Sequence, residues 1–418
     1  MKTTKFRPSE VGPIPEEWEV KPFSECFTLM RNNTYSRDCL TDLPGTVANV
    51  HYGDVLIRYG AVLDFEKDSV PYLKSGVKPN KDLLKDGDLI FADTAEDETA
   101  GKAVEVQGVR PRMAVAGLHT VACRPQGEIF APRYLGYYIN SAAYHNQLLP
   151  LMTGTKVTSV SRAGFASTYV AIPPKSEQEK IAEALSDVDA LLAAMTKLIE
   201  KKRAIKQGAM QQLLTGKKRL AGFSGKWVEK RLGECSTMFA GGTPSSNVDG
   251  YYGGAIPWVS ISDISIAGKY IEATSETLTE EGLNNSSAKW YPQNTLLFAM
   301  YASIGKCCIA RKRMTSSQAI LGIYNFRDVD IEFLCYLLTF RNGEFLTMGQ
   351  TGTQANLSKS IVEDVIIDAP TLAEQKAIAA VLSDMDAEIA ALEAKRAKYE
   401  SVRQGMMQEL LTGKTRLG

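Results

Sequence analysis

The decapeptide QQLLTGKKRL at residues 211–220 returns, with two changes, as QELLTGKTRL at residues 408–417. Walking back from both copies at a constant offset of 197 keeps them aligned without a gap: EQEKIAEALSDVDALLAA at 177–194 faces EQKAIAAVLSDMDAEIAA at 374–391, and Pro173 faces Pro370 just upstream. About half of these positions are identical, far more than shared helical composition gives by accident, so the chain contains an internal duplication.

Both copies predict long helices. Ile181, Leu185, Val188, Leu192, Met195 and Ile199 step by alternating fours and threes, as do Ile378, Leu382, Met385, Ile389 and Leu392. That spacing draws the narrow apolar seam of a coiled coil. Pro173, Pro174 and Pro370 stop what precedes, while Gly216 and Gly413 stand where a left-handed cap ends a helix. Each helix then runs about 40 residues, or roughly 60 Å at 1.5 Å per residue. The ordinary alternative is an amphipathic helix lying on its own domain's core, but so long a rod exceeds the diameter of a domain of about 150 residues. Much of each seam needs another partner, and the duplicate is the obvious one. Lys202 and Lys206 occupy stripe positions, which predicts imperfect pairing or further helices toward that end. Gly208 and Gly405, inside the helices, predict either close approach of another backbone or a kink.

A fainter echo precedes each helix. Trp18 with Glu25-Cys26 matches Trp227 with Glu234-Cys235, and TGTKVTSVS at 153–161 matches TGTQANLSK at 351–359. The organisation is block, helix, block, helix: residues 1–172, 173–220, 221–368 and 369–418. In the first block, strands are predicted near TVANVHY, DLIFAD, KAVEV and MAVAGLHTVACR, with a helix from about Pro132 to Leu151. In the second they fall near IPWVSI, TLLFAMY, KCCIAR and AILGIYNF, with a helix from about Ile331 to Met348. The fold class is α+β (mixed α/β), with polar loops suited to recognition.

The totals narrow the function. At 418 residues, 44% hydrophobic and 23% charged, the chain is of ordinary globular composition and long enough for two or three domains. No apolar run reaches a membrane span and the N-terminus lacks a signal-peptide stretch, which predicts a cytoplasmic protein without membrane contact. Seven cysteines without a CxxC predict buried reduced thiols, and three scattered histidines (His51, His119, His145) give no metal-ligand spacing. Net charge is zero. Residues 173–220 carry 10 Lys/Arg against 6 Asp/Glu, and residues 221–368 carry 12 against 15. A grip on nucleic-acid phosphates therefore has to come from local patches or from partner subunits.

Catalytic patterns are missing. The GKT at 413–415 lacks the upstream glycine of a P-loop, since Gln408 stands there, and it follows a helix instead of opening one. No GxGxxG, NPPY or DPPY occurs, and the triplets EVK at 19–21 and EAK at 393–395 read as surface charge. No nucleophile is paired with a base at a productive spacing.

Two dissimilar blocks in tandem, each followed by one copy of a long helix, resemble the specificity subunit of type I restriction-modification systems. The resemblance covers essentially the whole chain. It is carried by GGTPSSNVDGYYGGAIPWVSISDI at 241–264, the sequence around LLFAMYASIGKCCIA, TGTQANLSKSIVEDVIIDAPTLAEQKAIAAVLS, the two Pro-x-x-x-Glu-Gln helix starts and the two LLTGK ends. The first block departs from it: RNNTYSRD at 31–38 stands in place of GGTP, and only HYGDV at 51–55 matches the SISDI segment.

The resemblance implies a non-catalytic DNA-recognition subunit with two target-recognition domains, joined by two long antiparallel coiled-coil helices in an internal pseudo-two-fold arrangement. Each domain would read one half of a bipartite site in double-stranded DNA. The helices would set the spacing and dock two methyltransferase subunits, which bring S-adenosylmethionine; motor-endonuclease subunits would complete the assembly, and this chain itself would hold no cofactor. The residues matched to the family's loops are Thr243, Ser245, Ser246, Tyr251, Tyr252, Gln350, Thr353, Gln354 and Asn356. In the first block, Asn32, Asn33, Tyr35, Lys156, Thr158, Ser161 and Arg162 are the candidates. Arg, Asn and Gln can make bidentate contacts to base edges, although each such residue also has an ordinary use as a turn or cap. The competing reading is a coiled-coil adaptor with two globular heads and no DNA role.

Overall fold

A computed structural model describes residues 5–79, 82–348 and 356–417. The chain divides into two compact units, Met1–Thr196 with Ala394–Gly418, and Lys197–Glu393. Each unit therefore holds one block, the first part of the long helix that follows it and the last part of the other long helix.

The two units share one topology. In the first, a five-stranded sheet runs in the order Phe27–Leu29, Thr120–Pro125, Leu89–Ala92, Ala103–Gln107, Val62–Asp64, antiparallel except for the last pair. The second repeats it with Thr237–Ala240, Ile320–Tyr324, Leu296–Ala299, Cys307–Ala310 and Tyr270–Ile271, again with only the last pair parallel. A second sheet centres on Val47–Val50 in one unit and Tyr252–Val259 in the other. A separate two-stranded antiparallel sheet, Glu19–Pro22 with Tyr169–Ile172, joins the two ends of the first block and recurs as Val228–Arg231 with Ile366–Ala369.

The unbroken apolar runs LIFA and LLFA are central strands covered on both faces. Leu89 and Phe91 point into one core and Ile90 and Ala92 into another. Leu296 and Phe298 divide from Leu297 and Ala299 in the same way.

The long helices span Lys175–Leu213 and Leu372–Leu410, 39 residues each. They run antiparallel to one another within each unit, as the partners Asp189 with Arg403 and Thr196 with Arg396 in the first, and Arg203 with Glu393 and Lys206 with Asp386 in the second, require. In the first unit Asp189 pairs with Arg403, and Arg396 donates to the Thr196 hydroxyl at 2.9 Å. In the second unit Lys202 pairs with Glu388 (2.6 Å), Arg203 with Glu393 (2.6 Å) and Lys206 with Asp386 (2.5 Å). The two lysines that interrupt the apolar stripe are thus not a failure of pairing. The seam changes there from apolar to ionic.

The seam positions sort by burial. Ile181, Leu185, Met195, Ile199, Ile378, Leu382 and Ile389 are buried, whereas Val188, Leu192, Met385 and Leu392 are half-buried. The first turns join each unit's own core through Ile181 and Leu185, or Ile378 and Leu382. The helix ends join too: Leu410 and Leu411 sit in the first unit's core, and Leu213 and Leu214 in the second's. Gly216 and Gly413 adopt φ of +66° and +69° and close both helices with a left-handed turn. The close-approach reading of Gly208 and Gly405 fails, since nothing lies within 4 Å of a Cβ placed on either and both helices continue through them.

Three sequence expectations are corrected. MAVAGLHTVACR is two strands in different sheets, Met113–Ala116 and Thr120–Pro125. The chain turns between them at Gly117, where a Cβ would lie 2.7 Å from the Val50 carbonyl, and at His119, with φ of +51°. The helix expected over Pro132–Leu151 breaks into Tyr134–Ile139, Ala142–His145 and a short 3-10 turn. The Asn140 side chain takes the Gly136 and Ala103 carbonyls at 2.7 Å each, and the Tyr138 carbonyl is taken by both the hydroxyl (2.6 Å) and the N–H (3.0 Å) of Ser141, which close the helix in a tight turn. The second block's helix likewise divides at Arg341 into Ile331–Phe340 and Asn342–Met348.

Candidate nucleic-acid interface

In the second unit the GGTP segment follows the edge strand Thr237–Ala240 and is pressed against its neighbours. The Gly242 N–H donates to the Ser316 carbonyl (2.9 Å), and the Gly242 carbonyl accepts from the Trp258 indole N–H (2.9 Å). A Cβ on Gly242 would fall 2.1 Å from the Ala288 nitrogen, and one on Gly241 2.2 Å from the Ser316 carbonyl oxygen. Glycine is required at both because backbone occupies the space a side chain needs. Beyond the glycines, Thr243, Ser245 and Ser246 are exposed. Thr243 accepts weakly from the Gln318 N–H (3.4 Å).

Tyr252 is half-buried, packs edge-on against Trp258 at 5.9 Å and donates its hydroxyl to the Pro244 carbonyl (2.8 Å). Burial, with the Glu276 carboxylate nearby, raises its pKa. Tyr251 contributes backbone, its carbonyl accepting from Thr279 N–H (3.0 Å). Asn356 is exposed and bridges to Tyr301. Gln350, Thr353 and Gln354 lie outside the described residues.

The first unit builds the same place from different residues. Asn33 N–H donates to the Ala116 carbonyl (2.9 Å), as Gly242 does to Ser316, so NNT at 32–34 occupies the position of GGT at 241–243. The HYGDV match also holds structurally. His51 and Ser260 both cap short helices, Tyr52–Ile57 and Ile261–Ile266. Burial and then the Arg37 charge lower the His51 pKa, leaving a neutral ring whose Nδ1 accepts from Gly53 N–H (3.3 Å).

Asn33 is a structural residue here. It is buried, and its amide donates to Asn49 Oδ1 at 2.6 Å and accepts from Tyr35 N–H. Asn32 is half-buried and stands closer to the surface, held by Arg162, whose guanidinium also binds the Met30 carbonyl at 2.7 Å. Tyr35 donates to the Lys78 carbonyl (3.0 Å), Ser161 caps the helix Arg162–Ala166, and Thr158 pairs with Ala95 in a two-stranded ladder. Lys156 is exposed. The structure thus gathers Asn32, Ser161 and Arg162 at one edge of the first unit, and Thr243, Ser245, Tyr252 and Gln318 at the matching edge of the second. Sequence reading missed Gln318 and Trp258; Gln318 stands in the polar TSSQ run at 315–318, a visible signal left unused.

Each block is fastened to its helices by an equivalent set of contacts. Gln178 binds the Ala131 N–H and the Pro173 and Ile129 carbonyls, and Gln375 binds the Asp330 N–H and the Pro370 and Asp328 carbonyls. Tyr137 donates to Asp189 (2.9 Å) and Tyr336 to Asp386 (2.6 Å). The second unit adds Lys269, which joins Glu332 (3.2 Å) to Ser383 (2.5 Å). Burial opposes ionisation of Glu332, yet hydrogen bonds from Tyr270 and Lys269 hold its carboxyl below the usual range. Among the described residues no group of three or more potential metal ligands gathers, and no helix is long and apolar enough to cross a membrane.

The family model described as "Type I restriction modification DNA specificity domain" matches residues 15–206 and 224–400. A putative type I restriction enzyme MjaX specificity subunit of Methanocaldococcus jannaschii is 24% identical over a 433-residue alignment covering 100% of this chain and 98% of that protein. The type I restriction enzyme EcoR124I/EcoR124II specificity subunit of Escherichia coli is 23% identical over 232 residues, 54% of this chain and 57% of that one. Among solved structures, a chain from a study of type I R-M complex assembly superposes with a TM-score of 0.64 at 18% identity, covering 96% of this chain and 99% of that one. The S subunit from M. genitalium gives 0.58 at 12% identity, covering 94% and 96%.

Proposed function

Since this chain belongs to the type I restriction-modification DNA specificity family, we propose that its two units each read one word of a two-part DNA site and that its helices fix the distance between the words. The carrying observation is the fold built twice, with unlike residues at one equivalent edge and like residues at the helix junctions. Asn32 with Asn33 faces Gly241 with Gly242 at the reading edge, whereas Gln178 and Gln375, or Tyr137 and Tyr336, make the same bonds. Divergence at the loops and constancy at the joints is what two different words on one ruler require. The adaptor reading accounts for the joints and leaves the divergent edges without a purpose.

On this reading Asn32, Arg162 and Lys156 of the first unit, and Thr243, Ser245, Ser246, Tyr252 and Asn356 of the second, approach the grooves. Two methyltransferase subunits dock on the helices and supply S-adenosylmethionine and adenine N6 methylation, motor-endonuclease subunits supply cleavage, and the assembly works in the cytoplasm. Mapping methylated adenines across the host genome, with and without this gene, tests it. A two-part motif that disappears with the gene is expected; a methylation pattern indifferent to the gene overturns it.

A further inference from the structure

A chain of zero net charge that binds DNA must concentrate positive charge somewhere. The turn joining strand Cys307–Ala310 to strand Thr315–Ser316 carries Arg311, Lys312 and Arg313. Arg311 is half-buried and stacks on Tyr270, its guanidinium 3.6 Å from the ring centroid, so it is committed to packing. Lys312 and Arg313 are exposed, as is Lys289. Among the described residues none of these three is joined to a carboxylate.

The setting is built. Arg313 stands over Trp290, its guanidinium carbon 4.2 Å from the ring centroid, a contact that restrains the side chain. Trp290 in turn packs on Ile256, Trp258, Leu278 and Ala288. The two turns are locked together by Tyr291 and Met314, which exchange backbone bonds of 2.8 and 3.3 Å. The cluster adjoins the candidate reading loop, since Ala288 abuts Gly242 and Ser316, three residues beyond Arg313, accepts the Gly242 N–H.

The first unit repeats the device with a different turn. Between strands Ala103–Gln107 and Met113–Ala116 it places GVRPR, with Arg110 and Arg112 exposed and joined to no carboxylate among the described residues, one nitrogen of Arg112 donating to the Phe65 carbonyl. The strand that follows likewise ends against the reading edge, Ala116 accepting from Asn33. Two diverged blocks thus keep a basic turn at one structural position while the neighbouring loop changes. That is the behaviour of a contact to the uniform part of a ligand whose variable part is read next to it.

We infer that Lys289, Lys312 and Arg313 form a seat for the sugar–phosphate backbone of duplex DNA beside the Gly242 loop, with Arg110 and Arg112 as its counterpart in the first unit. This rests on the reading of the chain as a DNA-specificity subunit. Phosphate contacts set register and carry no sequence information, so the seat acts alike on every sequence.

The test is the salt dependence of binding to mixed-sequence duplex DNA, and to duplex carrying the mapped methylation motif, by the chain assembled with its methyltransferase partner. Each neutralised phosphate contributes about 0.9 to the slope of log affinity against log salt. The K312A/R313A variant is expected to lower the slope by about two and to weaken both duplexes by the same factor, while R313K keeps the wild-type slope. An unchanged slope in the variant, with the wild type binding normally, overturns the seat and leaves the specificity reading standing. Loss of methyltransferase assembly in the variant overturns it in favour of an acidic protein partner. Equal wild-type affinity for the motif and mixed duplexes sinks the specificity reading itself, whereas a slope lowered by about two in K312A/R313A still upholds the seat.

Discussion

Arg416 closes a two-bonded fork on Glu177 at 2.5 and 2.8 Å, and Arg219 does the same on Glu374 at 2.6 and 2.5 Å. Both carboxylates are buried and both arginines come from the repeated decapeptide. Glu177 also accepts from the Trp18 indole (3.1 Å), so the end of the chain is tied to the start of the first long helix and to the head of the first block. The repeat is written twice because each unit needs the same plug: a leucine pair for its core, a left-handed glycine turn and an arginine for a buried carboxylate.

Removing that arginine strands a charge. R416A leaves Glu177 buried without its counter-ion, which costs about 3 kcal/mol, and R219A does the same to Glu374. Thermal unfolding should show a fall of several degrees for each variant, with R416K intermediate because one arm of the fork is lost. The two losses should add within about 0.5 kcal/mol, since the sites belong to different units. Wild-type stability in R416A counts against the fork as a fastening.

The ionic stretch of the helix seam can be measured by a double-mutant cycle. Lys206 and Asp386 are both partly exposed, so their coupling is expected at no more than about 1 kcal/mol. K206E sets like charges face to face and destabilises, and adding D386K restores most of the loss, though not the bond Asp386 accepts from Tyr336. No coupling in denaturant titrations means the pair is incidental.

Gly242 has no room for a methyl group, so G242A must move the reading loop. The protein is expected to fold and to assemble with methyltransferase, because the displacement is confined to the edge of the second unit. Methylation at the native motif should fall more than tenfold, and residual sites should stay strict at the word read by the first unit while loosening at the other. Sequencing of methylated adenines checks this, and an unaltered motif rules out the loop as a reader.

How far the sequence could be read follows from what each signal encodes. The long helices were legible because a seam must repeat, and the caps because Gly216 and Gly413 take a conformation other residues avoid. The central strands were legible as unbroken apolar runs. What escaped was tertiary in origin: Asn140 and Ser141 ending a helix by taking its carbonyls, or Lys206 meeting Asp386 180 residues away. By sequence, Asn33 is a candidate base reader because an amide suits adenine. Its commitment to Asn49 needed the fold to be seen.

Charge division between subunits yields a prediction for the isolated chain. Basic residues are outnumbered 15 to 12 over residues 221–368, so without partners encircling the duplex, binding should be weak and lost steeply with salt. Gel shifts at physiological salt should show little complex. Nanomolar sequence-specific binding by the free chain would contradict this division of labour.

The strictest prediction concerns the ruler, because duplex DNA sets both a distance and an angle. One heptad inserted between Thr196 and Lys202, matched by one between Glu393 and Arg396, keeps the seam facing inward and adds roughly 10 Å. That is about three base pairs, which also turns the second word nearly a third of the way around the duplex. Three heptads in each helix add about 31 Å, close to the roughly 34 Å of one full DNA turn, and return the word to the same face. The three-heptad protein should therefore methylate a motif whose gap is longer by about nine or ten base pairs, whereas the one-heptad protein should methylate poorly at any gap. Were both variants to keep the native gap, the helices would be a scaffold for partners and the spacing would be set by something else.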